Sequence, residues 1–419
     1  MYSIKNENLN ITASIAYDKY VTSYTSVSSS FCECVGPFEG AHSPNCHTQI
    51  IQISREIENC FRKTRNYVID LKILESVYSL SFQYHYNIPL IQHFPNLSCL
   101  TLENTKFKLD SLNYLFKGLS VLEYLELNNI CVLSYSSYSH HTIDLQFPTS
   151  VKSLNINSGV TISPQSEDLS SYVDILTNGT RYLHFRPQHM PKLKKIVYAN
   201  KAGSFDATIT GFYNLNPQLI YLGFSANALT TDLLNHISIS SSLQKLAIIH
   251  YKNLIAIPLD SNLPILHSIV ELEIELSSDY SIQTFERLIQ AAPNICHLHI
   301  HLYMLSFDVY HNLSKKIEPV AQIFKNLKTL SITSHSLLCD FSLEIPSFPN
   351  LEYLNLLNAR LHKVNLVEYE KYSAIKCIYL GFNHPYYRSN IEFGSFKEKF
   401  PNWKINNFHK SLKCYKINN

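Results

Sequence analysis

Charge is scarce in this chain. Asp, Glu, Lys and Arg make up 16% of its 419 residues, against about 25% in an ordinary soluble protein. The 35 basic and 33 acidic residues nearly cancel, leaving a formal net charge of +2. No broad basic field therefore marks a nucleic-acid binder. Glycine is scarcer still, with ten residues and no G-x-G-x-x-G or G-x-x-x-x-G-K arrangement, which excludes the usual phosphate-cradling loops. H-E-x-x-H and G-x-S-x-G are missing too, and with them the common zinc-protease and serine-hydrolase signatures. Cys339-Asp340 falls in a loop after a repeated strand, with no positioned base. The expectation is a chain that is not an enzyme, with no catalytic residues, cofactor or metal.

Long apolar runs are also lacking. None reaches the roughly 18 residues needed to span a bilayer. The stretch from Met1 to Lys19 is polar, where a secretory leader needs an apolar centre. A cytoplasmic or nuclear protein with no membrane partner is expected. In that setting the sequons at Asn10, Asn96, Asn178 and Asn312 read as accidents of Asn and Ser richness. Ten cysteines are scattered along the chain, which suits reduced thiols better than a disulfide framework. Cys32, Cys34 and Cys46, with His42 and His47, form a metal-like cluster. Its C-x-C pair is tighter than a usual zinc pair, and no second pair follows. The segment reads as a loop turning at Gly36-Pro37 and Ser43-Pro44.

What is present is one short phrase, written many times. Its clearest copy runs from Leu219 through Leu222, Phe224 and Asn227 to Leu229, as L-x-x-L-x-L-x-x-N-x-L. Good copies begin at Leu97, Leu122, Leu327 and Leu351, and fair ones at Val77, Val151 and Leu193. Further copies begin at Leu243, Ile269, Ile295 and Ile375. The steps from Leu219 to Leu243, Ile269 and Ile295 are roughly 24 to 26 residues, long enough to return through a helix. Proline precedes several copies, in Phe94-Pro95-Asn96-Leu97, Met190-Pro191-Lys192-Leu193, Ala292-Pro293-Asn294-Ile295 and Phe348-Pro349-Asn350-Leu351. Lacking an N–H, it makes a stop before the next strand. Two intervals are too long for one repeat. In the first, Val151 to Leu193, the segment Tyr182-Leu183-His184-Phe185 is a candidate degenerate strand.

The chain resembles leucine-rich-repeat proteins, specifically the ribonuclease-inhibitor-like and F-box-associated subgroup, from about Tyr67 to about Ile405. The resemblance implies an α/β solenoid, a curved horseshoe with a parallel sheet on its concave face and helices or irregular segments on its convex face. Residues 1–65 carry no repeat, and the apolar spacing of Ile50, Ile53, Ile57, Cys60 and Phe61 predicts a capping helix over Thr48 to Arg62. Residues 66–410 hold about 12 irregular repeats, and 411–419 form a C-terminal tail. The family commonly carries an F-box in the N-terminal segment. Here there is no Leu-Pro opening, and the single tryptophan, Trp403, lies far downstream. The resemblance implies a protein-binding module, with a protein partner on the concave face. A substrate-recognition subunit of a cullin-type ubiquitin ligase, bound to a ligase adaptor, is one form. A stand-alone intracellular scaffold or inhibitor is the alternative.

Side chains alternate along a strand, so the residues between the core leucines line the concave face. Stacked by register, they include Tyr124/Glu126/Asn128, Tyr221/Gly223/Ser225, Lys245/Ala247/Ile249 and Glu271/Glu273/Glu275. His297/His299/His301, Thr329/Ser331/Thr333, Tyr353/Asn355/Leu357 and Cys377/Tyr379/Gly381 follow. Tyrosine is a frequent interface anchor, which draws attention to Tyr124, Tyr221, Tyr353 and Tyr379. Three glutamates should lie beside three histidines and raise their pKa. Three readings of that junction stand: a solvated ladder that keeps the sheet in register, a contact for a cationic or mixed-charge partner, and a transition-metal site. On the convex side, Ser281 to Ala291 and Leu313 to Phe324 are predicted as amphipathic helices. The first turns Ile282, Phe285, Leu288 and Ile289 inward, and the second Ile317, Val320, Ile323 and Phe324.

Overall fold

The computed structural model describes residues 55–417, apart from 56, 60, 64, 75–83, 134–141, 163–180, 183, 200–206, 250–261, 278, 304–323, 335–347, 359–363, 371, 382–392 and 409–410. The cysteine cluster at Cys32–Cys46, the copy at Val77, Cys339-Asp340 and all of the Leu313–Phe324 helix except Phe324 lie outside the described residues. The described residues form two compact units that divide between Leu219 and Ile220.

The first unit is built on parallel strands β1 (Asp70–Leu74), β2 (Cys99–Glu103), β4 (Tyr124–Leu133), β6 (Ser153–Ile162) and β9 (Lys195–Ala199), in that order. Short β3 (Lys106–Lys108) joins β4, and β7 (Arg181–Tyr182) joins β6. The repeated phrase is in register throughout. Leu100, Leu125, Leu154 and Ile196 pair across the strands, as do Leu102, Leu127, Ile156 and Tyr198. All eight are at most 3% exposed. Burying each such side chain contributes about 1.5–3 kcal/mol, which is why the strands stack in this register and no other.

Two expectations need revising here, and the phrase has one further copy: Val68, Leu71 and Ile73 are buried, and β1 is its strand. The segment Tyr182–Phe185 is no rung of the ladder, because β6 pairs directly with β9. Arg181–Tyr182 instead runs antiparallel to β6, and β8 (His184–Phe185) pairs with β5 (Thr142–Ile143) in a separate sheet. The prolines do more than stop a helix. Leu97 N–H donates to Phe94 O and Leu193 N–H to Met190 O, so Pro95 and Pro191 occupy tight turns where a fixed φ is an advantage. The Asn96 amide then reaches the Asn66 carbonyl at 3.0 Å and ties the turn to the chain before it.

Helices α1 (Tyr84–Gln92), α2 (Leu109–Gly118) and α3 (Ala207–Leu215) also belong to this unit. α2 buries Leu112, Leu115 and Phe116. Arg55, Ile57, Glu58, Asn59 and Phe61 are helical. The Phe61 ring meets Phe94 edge-on at 5.7 Å, and Glu58 lies 3.3 Å from His93 Nδ1.

The second unit continues the same pattern. Parallel strands β10 (Tyr221–Ser225), β11 (Lys245–Ile249), β12 (Glu271–Leu276), β13 (His297–Leu302), β14 (Thr329–Ser334), β15 (Tyr353–Leu357) and β16 (Cys377–Gly381) pair in sequence order. Leu222, Leu246, Leu272, Leu298, Leu330, Leu354 and Ile378 form one buried stripe. Between strands, α4 (Thr231–Ile239) is capped by the Thr230 hydroxyl accepting Leu233 N–H at 3.1 Å. The predicted helix appears as α5 (Asp279–Ala291), with Phe285, Leu288 and Ile289 at 0–1% exposure; the side chain of Ile282 is outside the described set. Asn294 donates to His267 O and Asn350 to Lys325 O, repeating the stitch made by Asn96.

Residues 411–416 are not a tail. They form β18 (Ser411–Lys416), inserted antiparallel between β16 and β17 (Trp403–Phe408). Leu412 and Cys414 are fully buried there, and Trp403 is 2% exposed. A short helix, α6 (Phe393–Lys399), leads into this hairpin.

Candidate functional site

The junction of β12 and β13 has the anticipated register: Glu271 opposite His297, Glu273 opposite His299, and Glu275 opposite His301. The side-chain contacts do not follow it. His299 Nε2 lies 3.1 Å from Glu271 Oε1, and His301 Nε2 lies 3.2 Å from Glu273 Oε1. Each histidine reaches back to the glutamate of the preceding position, because side chains on a strand lean along it and twist offsets neighbouring strands.

The centre of the cluster is Lys245, which the sequence pattern places on the concave face without singling it out. Its ammonium sits 2.7 Å from Glu271 Oε1 and 3.0 Å from Glu273 Oε2. It also lies 4.8 Å from the centroid of the Tyr221 ring, a cation–π distance. The Tyr221 hydroxyl donates to Glu273 Oε2 at 3.4 Å. Four adjacent strands, β10 to β13, thus contribute to one hydrogen-bonded network. The signal for Lys245 was available, since it stands in the same column as Glu271 and one strand away.

Electrostatics follow from this packing. Burial opposes ionisation of Glu273, but the His301 hydrogen bond and Lys245 overcome it and lower its pKa to about 2. Lys245 is itself raised: burial works against it, and the hydrogen bonds and charges of Glu271 and Glu273 outweigh burial. Burial and then Glu273 push the Tyr221 phenol up. The anticipated rise at the histidines fails at His299, whose pKa is lowered. Burial is the largest cause, and Lys245 and His301 reinforce it against the attraction of Glu271 and Glu273. The ammonium has taken the place that a protonated imidazole would fill.

The exposed ladder is narrower than alternation suggests. Glu275 is 3% exposed, and Ser225, Ala247, Ser331 and Thr333 are buried as well. Glu275 is therefore not presented to a partner, although it is close enough to Tyr303 to raise that phenol, after burial. Strands lie only about 4.8 Å apart, so polar side chains that pair sideways lie flat and cover one another. The leading residue of each strand from β10 to β16 stays at least partly accessible, and beyond it exposure varies from strand to strand. Tyr353 is 43% exposed, while Glu271, Glu273, His297, His299, His301 and Tyr379 are half-buried.

In the first unit, Tyr124 and Glu126 are bound to each other. Glu126 accepts from Tyr124 at 2.9 Å, Asn128 at 2.9 Å, Asn155 at 3.2 Å and Thr101 at 3.3 Å. Four donors saturate the carboxylate, so this group organises its own sheet. The neighbouring Cys99 thiol is pushed up to about 12 by burial and by Asp70, which leaves it inert as a nucleophile.

Among the described residues, no three His, Cys, Asp or Glu side chains are arranged to hold a metal ion. Nor is any helix among them long and apolar enough to cross a membrane. No family model matches the chain, and no curated protein matches it.

Proposed function

We propose that the chain is a leucine-rich-repeat-type solenoid that binds a protein partner on the exposed side of its strands and performs no catalysis itself. One observation carries the reading. Tyr221, Lys245, Glu271, His297, Thr329, Tyr353 and Cys377 lie in a single row across seven adjacent parallel strands. Such a row joins two tyrosines to charged and polar groups on a rigid backbone, a composition suited to protein contacts. A purely cationic partner is disfavoured at its centre, because Lys245 already occupies Glu271 and Glu273.

The test compares partners captured by the full chain and by a Tyr221→Ala/Tyr353→Ala variant. Ile239→Ser, which alters an 83% exposed side chain on α4, is the control. Loss from the double variant alone supports the reading, and equal capture by all three sinks it. Whether the module serves a ubiquitin ligase, as the family resemblance implies, is a separate question. Direct binding to a cullin-ligase adaptor would support that role; its failure favours the stand-alone scaffold or inhibitor.

A further inference from the structure

A second feature lies away from the pairing face, on the residues that immediately precede the strands. Cys296, Lys328, Glu352 and Lys376 each stand one position before β13, β14, β15 and β16, so the register that aligns the strands also aligns them. With Lys325 and Asn326 from a preceding turn, they line a cavity of about 420 Å³. The recess is open: Lys325, Asn326, Lys328 and Lys376 are all exposed, so a ligand here is held by charge and hydrogen bonds and not by enclosure.

Its charge is unbalanced in a chain where charge is rare. Among the described lining residues, three ammonium groups, Lys325, Lys328 and Lys376, face one carboxylate, Glu352. Glu352 is committed to Lys376 at 2.7 Å. Its acidity is raised chiefly by that hydrogen bond, and Lys328 adds to it, which puts Lys328 within electrostatic reach of the same spot. Neither Lys325 nor Lys328 forms an ion pair among the described residues. The backbone N–H groups of Lys328, Glu352 and Lys376 are spent on the chain before them, so recognition here falls to side chains. Two uncompensated positive charges, with the Asn326 side chain beside them, match a doubly charged, multi-acceptor anion.

We propose that this cavity binds a phosphate monoester, with Lys325 and Lys328 as its principal contacts and Lys376, steadied by Glu352, as the third. The site does not depend on the partner-binding reading. The phosphate could be carried by a free small molecule or by a phosphorylated protein side chain, and the two are told apart by probe. Calorimetric titration of the full chain with glycerol 3-phosphate and with a short phosphoserine peptide is the direct test, with glycerol and the unphosphorylated peptide as blanks. Saturable binding of at least one phosphorylated probe is expected, weakening with salt. Lys325→Ala/Lys328→Ala should weaken it about tenfold, while Lys397→Ala/Lys399→Ala on α6 leaves it unchanged. Bound phosphate should also slow alkylation of Cys296, read by peptide mapping, in the unaltered protein. Binding of glycerol 3-phosphate assigns a free ligand, and binding of the peptide alone a phosphorylated protein. No binding of either probe, equal loss in both double variants, or undiminished binding in Lys325→Ala/Lys328→Ala overturns the proposal.

Discussion

His301 pairs with Glu273 at 3.2 Å, although its register partner is Glu275. The pairing is diagonal, and it leaves Glu273 with a histidine on one oxygen and Lys245 and Tyr221 on the other. A carboxylate so placed ties three neighbouring strands to its own.

Stability should fall with acid in two stages. The folded-state pKa of His299 is below its ordinary 6.5, and that of Glu273 is lowered from 4.5 to about 2. In both cases the unfolded chain binds protons first, so stability is lost as pH falls. The His299 contribution is full above 6.5 and declines below it; the Glu273 contribution is full above 4.5 and declines toward about 2. Urea midpoints measured across this range should decline on acidification, and Glu273→Gln should flatten the part below 4.5. A midpoint that rises on acidification from neutral pH contradicts the assignment.

Lys245→Met should destabilise the second unit by on the order of 2 kcal/mol, because it strips the shared cation from two half-buried carboxylates. It should also raise the pKa of His299, on which Lys245 now acts as a repelling charge. NMR titration of the imidazole checks this directly. An unmoved His299 would mean that burial alone sets its pKa.

Gly211→Ala should destabilise, against the usual gain of up to about 1 kcal/mol for this change within a helix. A Cβ at Gly211 would stand 2.5 Å from Pro187 Cγ, and a proline ring has little freedom to yield. An overpacking loss of about 1–3 kcal/mol is expected, measurable by denaturation. A stabilised variant would show that α3 can shift at no cost.

Asn216→Ala should be among the more damaging polar changes in the first unit, at on the order of 2–3 kcal/mol. Asn216 is 0% exposed. It accepts Met190 N–H at 2.7 Å and donates to Gln188 O and Phe212 O, each at 2.8 Å. Removing the side chain strands three backbone groups, two of them in buried hydrogen bonds. Thermal unfolding would reveal a shift within error as readily as the expected loss.

Much of the fold was legible because hydrophobic spacing is a local signal with a global consequence. Leu272 and Ile274 declare a strand, and the same spacing in Leu298 and Ile300 declares its neighbour. Val68, Leu71 and Ile73 carry the same spacing and form β1. Tyr182–Phe185 misled because an apolar alternation says that a segment can be a strand, without saying which edge is still open to it. The β18 strand was hidden for a different reason: antiparallel closure depends on the edge of β16 and is not marked by the repeat.

The candidate site divides the same way. The sequence by itself determined that glutamates and histidines would face each other across β12 and β13, since a two-residue alternation leaves no other register that buries the leucines. Tertiary structure decided which groups meet. The direction in which side chains lean chose Glu273 for His301, the 2.7 Å approach of Lys245 to Glu271 took the role expected of a protonated histidine, and lateral packing hid Glu275. Register is set by the backbone and its apolar pattern; partnership is set by angles and burial, which no spacing of letters records.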